Sequence, residues 1–280
     1  MPPGSDIVTQ AEKGRRFRAL HERESAFIIP NPYDVGTARL LAHLGFEALA
    51  TTSAGYAFTI GHRDGTLTRE QAIAGAQAIA AATDLPVSAD LENGFGDAPE
   101  GSAETIRLAA DAGVVGGSIE DSTGRNDSPI YELEFAAERV RAAAKAAHSL
   151  PFPFLLTARA ENYLHGRADI NDTIRRLQAY QEAGADVLYA PGLITKDDIA
   201  AVVRSVDRPV NVLMGLPGVH LTLAELSALG VRRVSVGSGL SRAALGAFLR
   251  AAHEMRDFGT FTFSADAVGS ISELSANFPP

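Results

Sequence analysis

Residues 88–97 read Ser-Ala-Asp-Leu-Glu-Asn-Gly-Phe-Gly-Asp, and the apolar run Leu85-Pro86-Val87 comes directly before them. This pattern predicts a short buried strand that runs into an acidic loop. Because strand side chains alternate, Asp90 and Glu92 are predicted to point the same way. Unpaired buried carboxylates are costly, so we expect a cation between or beside them, and a divalent metal is the simplest choice. The alternative is that one acid caps the turn and the other forms a surface ion pair.

The strand that ends at these acids is one of a series of short apolar runs along the chain. The eight runs are residues 27–29, 48–50, 86–89, 117–119, 154–156, 187–189, 210–213 and 234–236. Each is long enough for a buried strand, and the segments between them can hold a helix. Residues 8–24, with arginines around Phe17 and Leu20, predict a leading amphipathic helix.

The entries into the runs carry helix stop signals. They are Gly45, Gly113, Gly184 and Gly230 before the even-numbered runs, and Pro86, Pro151 and Pro209 before the third, fifth and seventh. Such glycines suit a helix C-terminus that needs positive φ, and prolines cannot continue a helix. Thr68-Arg69-Glu70-Gln71 adds a capping box before the third run. The repeat indicates successive βα units.

Successive βα units with right-handed crossovers close most simply into a (β/α)8 TIM barrel. An open doubly wound sheet is the alternative, but no G-x-G-x-x-G follows an early strand and the polar residues are spread over many strand ends. We therefore predict a single barrel domain over residues 1–280, with a leading helix in residues 1–25 and a C-terminal helix and tail from about residue 241 to 280. The class is α/β.

Composition limits the functions that this chain can have. The net charge is −9 over 280 residues, which argues against a nucleic-acid surface. The chain has no Cys, so thiolate metal sites and a thiol acid are excluded. Residues Met1–Asp6 lack the apolar core of a secretory signal, and no run reaches the length of a membrane span. We predict a soluble, cytoplasmic protein with neither nucleic acid nor membrane as a partner.

Polar residues cluster where the apolar runs end. Asp90 and Glu92 follow the third run, Glu120-Asp121 the fourth, and Arg159 the fifth. A barrel brings all of these ends to one face, so acids and a guanidinium are expected to meet there. This arrangement predicts a metal held by acids and a substrate carboxylate held by the fork of Arg159. Oxygen ligands without a His or Cys cluster favour Mg²⁺, with Mn²⁺ possible, over Zn²⁺.

From residue 27 to about residue 240 the chain resembles the isocitrate lyase and phosphoenolpyruvate mutase superfamily. It is most similar to a divergent, 2-methylisocitrate lyase-like subgroup that lacks the catalytic Cys. The segments that carry the resemblance are residues 30–39 (PNPYDVGTAR), 52–55 (TSAG) with Asp64, 90–96 (DLENGFG), 118–121 (SIED) and 157–159 (TAR). The resemblance implies a barrel enzyme that usually assembles as a homotetramer or homodimer, with the helix at 241–256 exchanged between subunits.

The resemblance also implies roles for particular residues. The metal would be held by Asp90, Glu92 and Glu120. Asp64, near metal and substrate, and Arg159 would act in catalysis together with Glu120. Ser53, Ala54 and Gly55 would form a turn that receives a substrate carboxylate beside Arg159. From their positions alone, Tyr33 and Asn162 are predicted to touch substrate, and loop histidines His62 and His165 are candidate general bases.

Two departures from the family pattern stand out. The usual acid pair is Asp-x-Asp, whereas Glu92 adds a methylene. The family's lyases carry Lys, Arg, Cys, Gly and His in a row after the fourth strand, with Cys as proton donor. Here residues 122–129 read STGRNDSP. We predict that this segment is a gate whose Arg125, helped by Asn126, closes on an anionic substrate, and that cleavage of isocitrate or 2-methylisocitrate is weak or absent.

The resulting prediction is a Mg²⁺-dependent lyase that acts on a small carboxylate substrate. It would cleave a C–C bond of a 2-oxo or hydroxy di- or tricarboxylic acid through an enolate stabilised by the metal. One alternative is a P–C bond enzyme of the phosphoenolpyruvate mutase or phosphonopyruvate hydrolase type, and another is an oxaloacetate decarboxylase. A barrel that binds a metabolite without turnover is disfavoured, because Asp90, Glu92, Glu120 and Arg159 are all present.

Overall fold

A computed structural model describes residues 8–267 and 269–278 of the chain. The predictions made on Met1–Asp6, and those made on the last two residues of the tail, lie outside this part. Within it, no helix combines the length and apolar character needed to cross a membrane.

The fold is an eight-stranded parallel sheet rolled into a barrel, as predicted. The strands are β1 (Phe27–Ile29), β2 (Leu49–Ala50), β3 (Val87–Asp90), β4 (Gly116–Glu120), β5 (Leu155–Arg159), β6 (Val187–Tyr189), β7 (Val210–Leu213) and β8 (Arg233–Ser235). Their order is β1-β8-β7-β6-β5-β4-β3-β2. The Ala50 amide donates to the Pro30 carbonyl at 3.0 Å, which brings β2 back to the end of β1. Every predicted run became a strand, shifted by at most a few residues.

Helices alternate with the strands. They are α1 (Gln10–Glu22), α2 (Val35–His43), α3 (Ser53–Thr59), α4 (Arg69–Ala81), α5 (Pro99–Asp111), α6 (Leu133–His148), α7 (Ile170–Glu182), α8 (Lys196–Ser205), α9 (Leu223–Ala228), α10 (Gly239–Phe258) and α11 (Ile271–Ser275). The capping box is confirmed, because Thr68 and Gln71 exchange hydrogen bonds at the start of α4. Gly45, Gly113, Gly184 and Gly230 all have φ between 85° and 105°, as the stop signals predicted.

Helix α1 covers one end of the barrel core. Phe17 and Leu20 are buried against residues of β1, β5 and β6. The Phe17 ring lies so close to Gly116 that a Cβ there would meet it at 2.8 Å, which explains glycine at the start of β4. His21 is also buried on α1, with its ring edge-on to both Phe17 and Phe27. The predicted leading helix is therefore confirmed within residues 10–22.

Helix α10 contrasts with the helices of the barrel wall. Of its twenty residues only Ser241 is buried. Apolar side chains on it stay in solvent, with Phe248 68% and Leu249 54% exposed. The predicted C-terminal helix is thus present, while its exchange with a neighbouring subunit stays a prediction.

Candidate active site

A cleft of about 650 Å³ opens where the strands end, on the face that the barrel topology predicted. Its lining includes five carboxyl groups and a single Lys or Arg side chain, Arg159. The carboxyl groups belong to Asp64, Asp90, Glu92, Glu120 and Glu161. The cleft is therefore strongly acidic around one guanidinium, and a bound cation would offset that imbalance.

Asp90 is the last residue of β3, and the start of α3 holds its carboxylate. The backbone N–H and the hydroxyl of Ser53 donate to Asp90 Oδ2 at 3.0 and 2.9 Å. The other oxygen, Oδ1, is buried and has no hydrogen bond to any described residue. Its nearest cation is Arg159, whose Nη1 lies 3.9 Å away. One carboxylate oxygen is thus fixed, and the other is left without a donor.

Glu92 reaches the cleft for a different reason from the one predicted. It does not continue the strand, because its φ is +47° and β3 ends at Asp90. A turn, and not strand alternation, therefore brings its side chain beside Asp90. Its Oε1 is buried without a hydrogen-bond partner among the described residues. Burial, followed by the charges of Asp90 and Asp64, raises the pKa of Glu92 to about 7.

The turn after β3 is held from outside the cleft by Arg139 of α6. Its buried guanidinium donates to the carbonyls of Asn93, Gly96 and Asp97. Phe95 in the same segment has φ +58°, a second left-handed residue that is not glycine. Left-handed backbone costs free energy at such residues, so the Arg139 contacts stabilise a conformation that presents Glu92 to the cleft.

Arg159 and Glu120 lie side by side at the ends of β5 and β4, where their Cα atoms are in register. Arg159 Nη1 is 3.3 Å from Glu120 Oε2. Burial raises the pKa of Glu120 well above its usual range, although the Arg159 charge opposes this. The predicted fork of Arg159 is partly occupied, because its Nε donates to Glu161. Nε makes the one hydrogen bond of this guanidinium within the described residues, and Nη1 lies within ion-pair distance of Glu120 and Asp90. Nη2 is therefore left for a substrate anion.

The sequence interpretation missed two residues of the site, Glu161 and Tyr189. Glu161 is buried and pairs with Arg159 from two positions further along the same chain segment. Tyr189 ends β6 and lies in register with Arg159, whose guanidinium carbon is 5.2 Å from the ring centroid. Strand alternation could have indicated Glu161, because it lies two positions after Arg159 and so faces the same side. Tyr189 follows only from the register of β5 and β6.

Asp64 and His165 line the cleft as predicted, but His62 does not. Burial and then the charge of Asp90 raise the pKa of Asp64. His62 lies in the turn after α3 and is exposed. The candidate proton carriers that the structure brings to the cleft are therefore Asp64 and His165.

The turn that was predicted to receive a substrate carboxylate forms the start of α3, and two of its backbone amides already donate hydrogen bonds within the protein. Ser53 donates to Asp90, and the Gly55 amide donates to Thr52 Oγ1 at 3.2 Å as part of the helix cap. Gly55 has no room for a side chain, since a Cβ would meet Thr52 at 2.6 Å and Tyr33 at 2.9 Å. Ser53 and Ala54 line the cleft, whereas Gly55 and Tyr33 lie behind them. Contact of Tyr33 with substrate stays a prediction.

The structure does not place Asn162 against the cleft, in contrast to the prediction. Its side chain is completely buried, and its amide nitrogen donates to Asp172 of α7 at 2.5 Å. Asp121 likewise turns away from the acid cluster and accepts from Arg176 and Tyr180 of α7. Asp121 lies one position after the end of β4, and Asn162 lies three positions after the end of β5. Alternation therefore points both side chains outward, where they join the barrel to α7.

The segment after Glu120 is tied back on itself. Ser122 and Ile130 form an antiparallel bridge, and the Thr123 amide donates to the Pro129 carbonyl at 2.9 Å. Arg125 does not line the cleft, because its guanidinium pairs with Asp97 at 2.8 Å. Its predicted closure over substrate stays a prediction, and it requires this exposed pair to open.

The acids at the centre of the cleft fit a hard divalent cation. Asp90 Oδ1 and Glu92 Oε1 are buried oxygens without donors, and the cleft offers oxygen ligands throughout. Among residues 8–267 and 269–278, however, no three Asp, Glu, His or Cys side chains are gathered closely enough to enclose an ion. Arg159 accounts for this, since it draws Glu120 toward itself. Mg²⁺ commonly binds one or two carboxylates and keeps several waters, which these two oxygens can satisfy.

Comparison with known sequences agrees with this geometry. Residues 17–256 match the family model described as phosphoenolpyruvate phosphomutase. An uncharacterized protein of Mycobacterium tuberculosis (strain H37Rv) is 35% identical over 86% of this chain and 89% of its own length. A 2-methylisocitrate lyase of Halalkalibacterium halodurans is 28% identical, over 84% of this chain and 74% of that protein. An oxaloacetate decarboxylase of Chromohalobacter salexigens is also 28% identical, over 91% and 89%.

Solved structures show the same similarity. A Burkholderia cenocepacia J2315 protein, provisionally named a lyase/mutase, superposes with a TM-score of 0.93 at 64% identity, covering 97% of this chain and 96% of its own. A phosphonopyruvate hydrolase in complex with oxalate and Mg²⁺ superposes with a TM-score of 0.82 at 25% identity, covering 95% and 94%.

Proposed function

This chain belongs to the phosphoenolpyruvate phosphomutase family, and from that premise we propose that it is a Mg²⁺-dependent lyase of a small 2-oxo or hydroxy di- or tricarboxylic acid. The bond that it cleaves is a C–C bond. One observation carries the proposal: two buried carboxylate oxygens without donors, on Asp90 and Glu92, share a cleft with the unoccupied Nη2 of Arg159. A cation site beside an anion site suits an oxo acid.

Each residue has a part in this proposal. Asp90 and Glu92 would hold Mg²⁺, and Glu120, now 3.3 Å from Arg159, would be the third acid available to it. Bound there, Mg²⁺ supplies a Lewis acid toward the oxygens of the substrate. Arg159 binds a substrate carboxylate through Nη2, and Glu161 fixes the orientation of that guanidinium through Nε.

Proton transfer is assigned to Asp64. When a 2-oxo acid such as oxaloacetate loses CO2, the electron pair of the broken C–C bond stays on the carbon next to the oxo group, and that carbon must gain a proton. In a hydroxy acid the hydroxyl group becomes the oxo group and gives its proton to a base of the cleft such as His165, and the electron pair stays on the other carbon, which gains the proton. Asp64 lines the cleft, and burial with the nearby Asp90 charge raises the pKa of its carboxyl group, which favours it over an ordinary Asp as the donor. The sequence contains no Cys, so the thiol donor of the family's lyases has no counterpart.

Decarboxylation of oxaloacetate is a second candidate within the same chemistry. The cleft lining holds one cationic side chain of Lys or Arg type, Arg159, which is enough for a single carboxylate. Oxaloacetate brings a second carboxylate and a P–C bond substrate brings a phosphonate dianion, and no second Lys or Arg lines the described cleft to receive either group. The phosphonate carries the larger negative charge, so it is the harder of the two to bind beside the acids of the cleft. This difference favours C–C over P–C cleavage.

A substrate panel with Mg²⁺ tests the proposal. Oxaloacetate, 2-methylisocitrate, isocitrate and phosphonopyruvate are incubated with the protein, and release of pyruvate, glyoxylate and phosphate is measured. We expect turnover of oxaloacetate or a related oxo acid that is lost with a chelator and in Asp90→Asn. Asp111→Asn, an exposed acid at the end of α5, is the matched control and should keep full activity. Faster release of phosphate from phosphonopyruvate would show that the P–C alternative is correct.

We also propose that the enzyme is a homo-oligomer in which α10 packs on a neighbouring subunit. The exposed Phe248, Leu249 and Phe258 support this, because a helix with such a face is stabilised by a partner. Sedimentation measurements that give a monomer at micromolar concentration would contradict it.

A further inference from the structure

A second polar cavity lies inside the barrel, below the cleft. Its volume is about 60 Å³, and its lining includes side chains from several strands. Ser88, Ser118, Asn211 and Ser235 contribute hydroxyl and amide groups to it. Barrel interiors are usually filled by branched apolar side chains, so this polar interior calls for a ligand or water.

Arg233 is the charged group that defines this cavity. It is the first residue of β8 and is only 5% exposed. Its Nε donates to Asn211 Oδ1 at 2.9 Å, its Nη2 donates to Thr157 Oγ1 at 3.0 Å, and its Nη1 lies 3.4 Å from His21 Nε2. These partners are all neutral. His21 Nδ1 is 2.8 Å from the Phe17 carbonyl and donates to it, so its Nε2 accepts from Arg233.

The positive charge of Arg233 has no acid beside it. No Asp or Glu of residues 8–267 and 269–278 lies within ion-pair distance of it, unlike Arg159 and Arg176. Burial lowers the pKa of Arg233 to about 10, which still leaves it charged at neutral pH. Burial and the nearby Arg233 charge lower the pKa of His21 to about 3, so His21 adds no charge of its own. Of the five N–H groups of a guanidinium, three are used by these contacts and two remain.

We propose that Arg233 and the surrounding hydroxyl and amide groups bind a small monovalent inorganic anion of the size of chloride. A buried cation is costly unless an opposite charge accompanies it. The cavity has room for a small ion together with water, since its volume of about 60 Å³ is several times the roughly 10–15 Å³ that one water needs. Ser88 and Ser118 also line the cavity, and their hydroxyl groups would complete the donors around the ion.

The site lies directly beneath the substrate arginine. Thr157, which contacts Arg233, is two residues before Arg159 on the same face of β5, or roughly 7 Å along the strand. Asp90, Arg159 and Tyr189 line both the cleft and the cavity. The ion therefore offsets the charge of Arg233 without occupying the substrate position.

Bromide, which replaces chloride and scatters anomalously, tests the proposal in the unmodified protein. Crystals grown in a bromide salt should show an anomalous peak beside the Arg233 guanidinium. In solution, the midpoint of thermal unfolding should rise saturably with sodium chloride relative to sodium gluconate at equal ionic strength.

Arg233→Met should abolish the chloride-dependent rise, and Arg232→Met, at the neighbouring and more exposed arginine, should retain it. If Arg233→Met does not fold, the bromide peak and the salt comparison in the unmodified protein decide the matter. A cavity that contains only water in bromide crystals overturns the proposal. So does a bromide peak without saturable stabilisation, which would show binding at crystal concentration only.

Discussion

Two arginines, the partly buried Arg159 and the buried Arg176, lie among acids in this protein, and their surroundings differ. Arg176 donates to Asp121 at 3.0 Å, to Asp172 at 3.0 Å and to the Tyr131 carbonyl at 2.9 Å. Both oxygens of Asp121 are used, since Tyr180 and the Glu161 amide also donate to that carboxylate. Around Arg159, by contrast, the carboxyl groups outnumber the donors, and buried oxygens of Asp90 and Glu92 lack partners.

The difference separates a structural network from a functional one. A buried network with matched donors and acceptors stabilises the fold, whereas unmatched buried carboxylates raise its free energy unless a ligand compensates them. Neighbouring residues supply the two centres: Glu120 points into the cleft, and Asp121 points out to α7. One strand end thus contributes an acid to the candidate active site on one face and an acid to the structural network on the other.

The largest expected effect is on stability, at the structural centre. Arg176→Met leaves the Asp121 carboxylate buried without its cation, and breaking such a pair typically costs about 3–5 kcal/mol. Urea unfolding of the two proteins measures the loss. Arg175→Met is the control, because Arg175 is exposed and pairs with Asp172 at the surface, where pairs contribute about 1 kcal/mol or less. Equal losses in both variants would show that the Arg176 network is not special.

At the functional centre, Arg159→Lys should reduce the rate and leave the fold intact. A lysine ammonium cannot donate to Glu161 and to a substrate carboxylate in the same plane, as the guanidinium does. We expect kcat/KM for the oxo acid to fall by about 10²–10³, the effect of removing one electrostatic group. Steady-state kinetics measures the loss of activity, and urea unfolding measures whether stability is retained. An unchanged kcat/KM would remove Arg159 from substrate binding.

Metal affinity should depend on Asp90. Asp90→Ala removes the carboxylate with the partnerless Oδ1, so we expect Mg²⁺ or Mn²⁺ affinity to fall by at least about 10–100-fold. The protein without metal should not lose stability, because one of several repelling acids has gone. Isothermal titration with Mn²⁺ and thermal unfolding measure both. A variant that binds Mn²⁺ as well as the parent protein would refute the metal site.

The pH dependence of the stability of the metal-free protein tests whether the acids around Arg159 are unmatched. The pKa of Glu92 is raised to about 7 in the folded state, so the folded protein binds the proton more tightly than the unfolded chain. The contribution of Glu92 to the free energy of unfolding is therefore complete below the pKa of the unfolded chain, about 4.3. It is lost as the pH rises toward the folded-state pKa of about 7. Glu92→Gln should flatten this decline in urea unfolding measured across that window. If stability declines equally steeply with pH in the variant, the decline is caused by other acids.

The smallest effect is expected at the loop. Arg125 pairs with Asp97 at the surface, so Arg125→Ala should change stability little and alter KM or kcat by less than about fivefold if the loop stays as it is. A larger increase in KM would show that Arg125 closes over the substrate. Asp97→Asn is the matched variant, since it frees Arg125 and should lower KM if closure is real.

Most of the barrel could be predicted from the sequence, because the helix of each βα unit tends to end at a residue with a strong backbone preference. Gly45, Gly113, Gly184 and Gly230 mark helix ends, and the strands follow them. The match of residues 17–256 to the family model confirms the resemblance. The acid cluster was predictable in the same way, since Asp90, Glu120 and Arg159 are strand-terminal residues that a barrel collects.

What escaped prediction depends on register and on turns. Glu92 enters the cleft through a left-handed residue that strand alternation cannot describe. Asn162 looked like a substrate residue because the sequence does not reveal that Asp172, ten positions later, binds its amide. Arg233 gave no signal, since its partners come from β5, β7 and α1, far apart in the chain.

The contact between α1 and β8 has a consequence for biosynthesis. His21 and Arg233 are 212 residues apart in sequence, and β1 pairs with β8 in parallel. Phe27 pairs with Arg233, so the ribosome finishes more than four fifths of the 280-residue chain before Phe27 can meet its partner strand. Until then β1 lacks its neighbour β8 in the nascent chain, and contacts of such long range slow folding. We expect the emerging amino-terminal segment to be a substrate for chaperones, and barrel closure to follow translation.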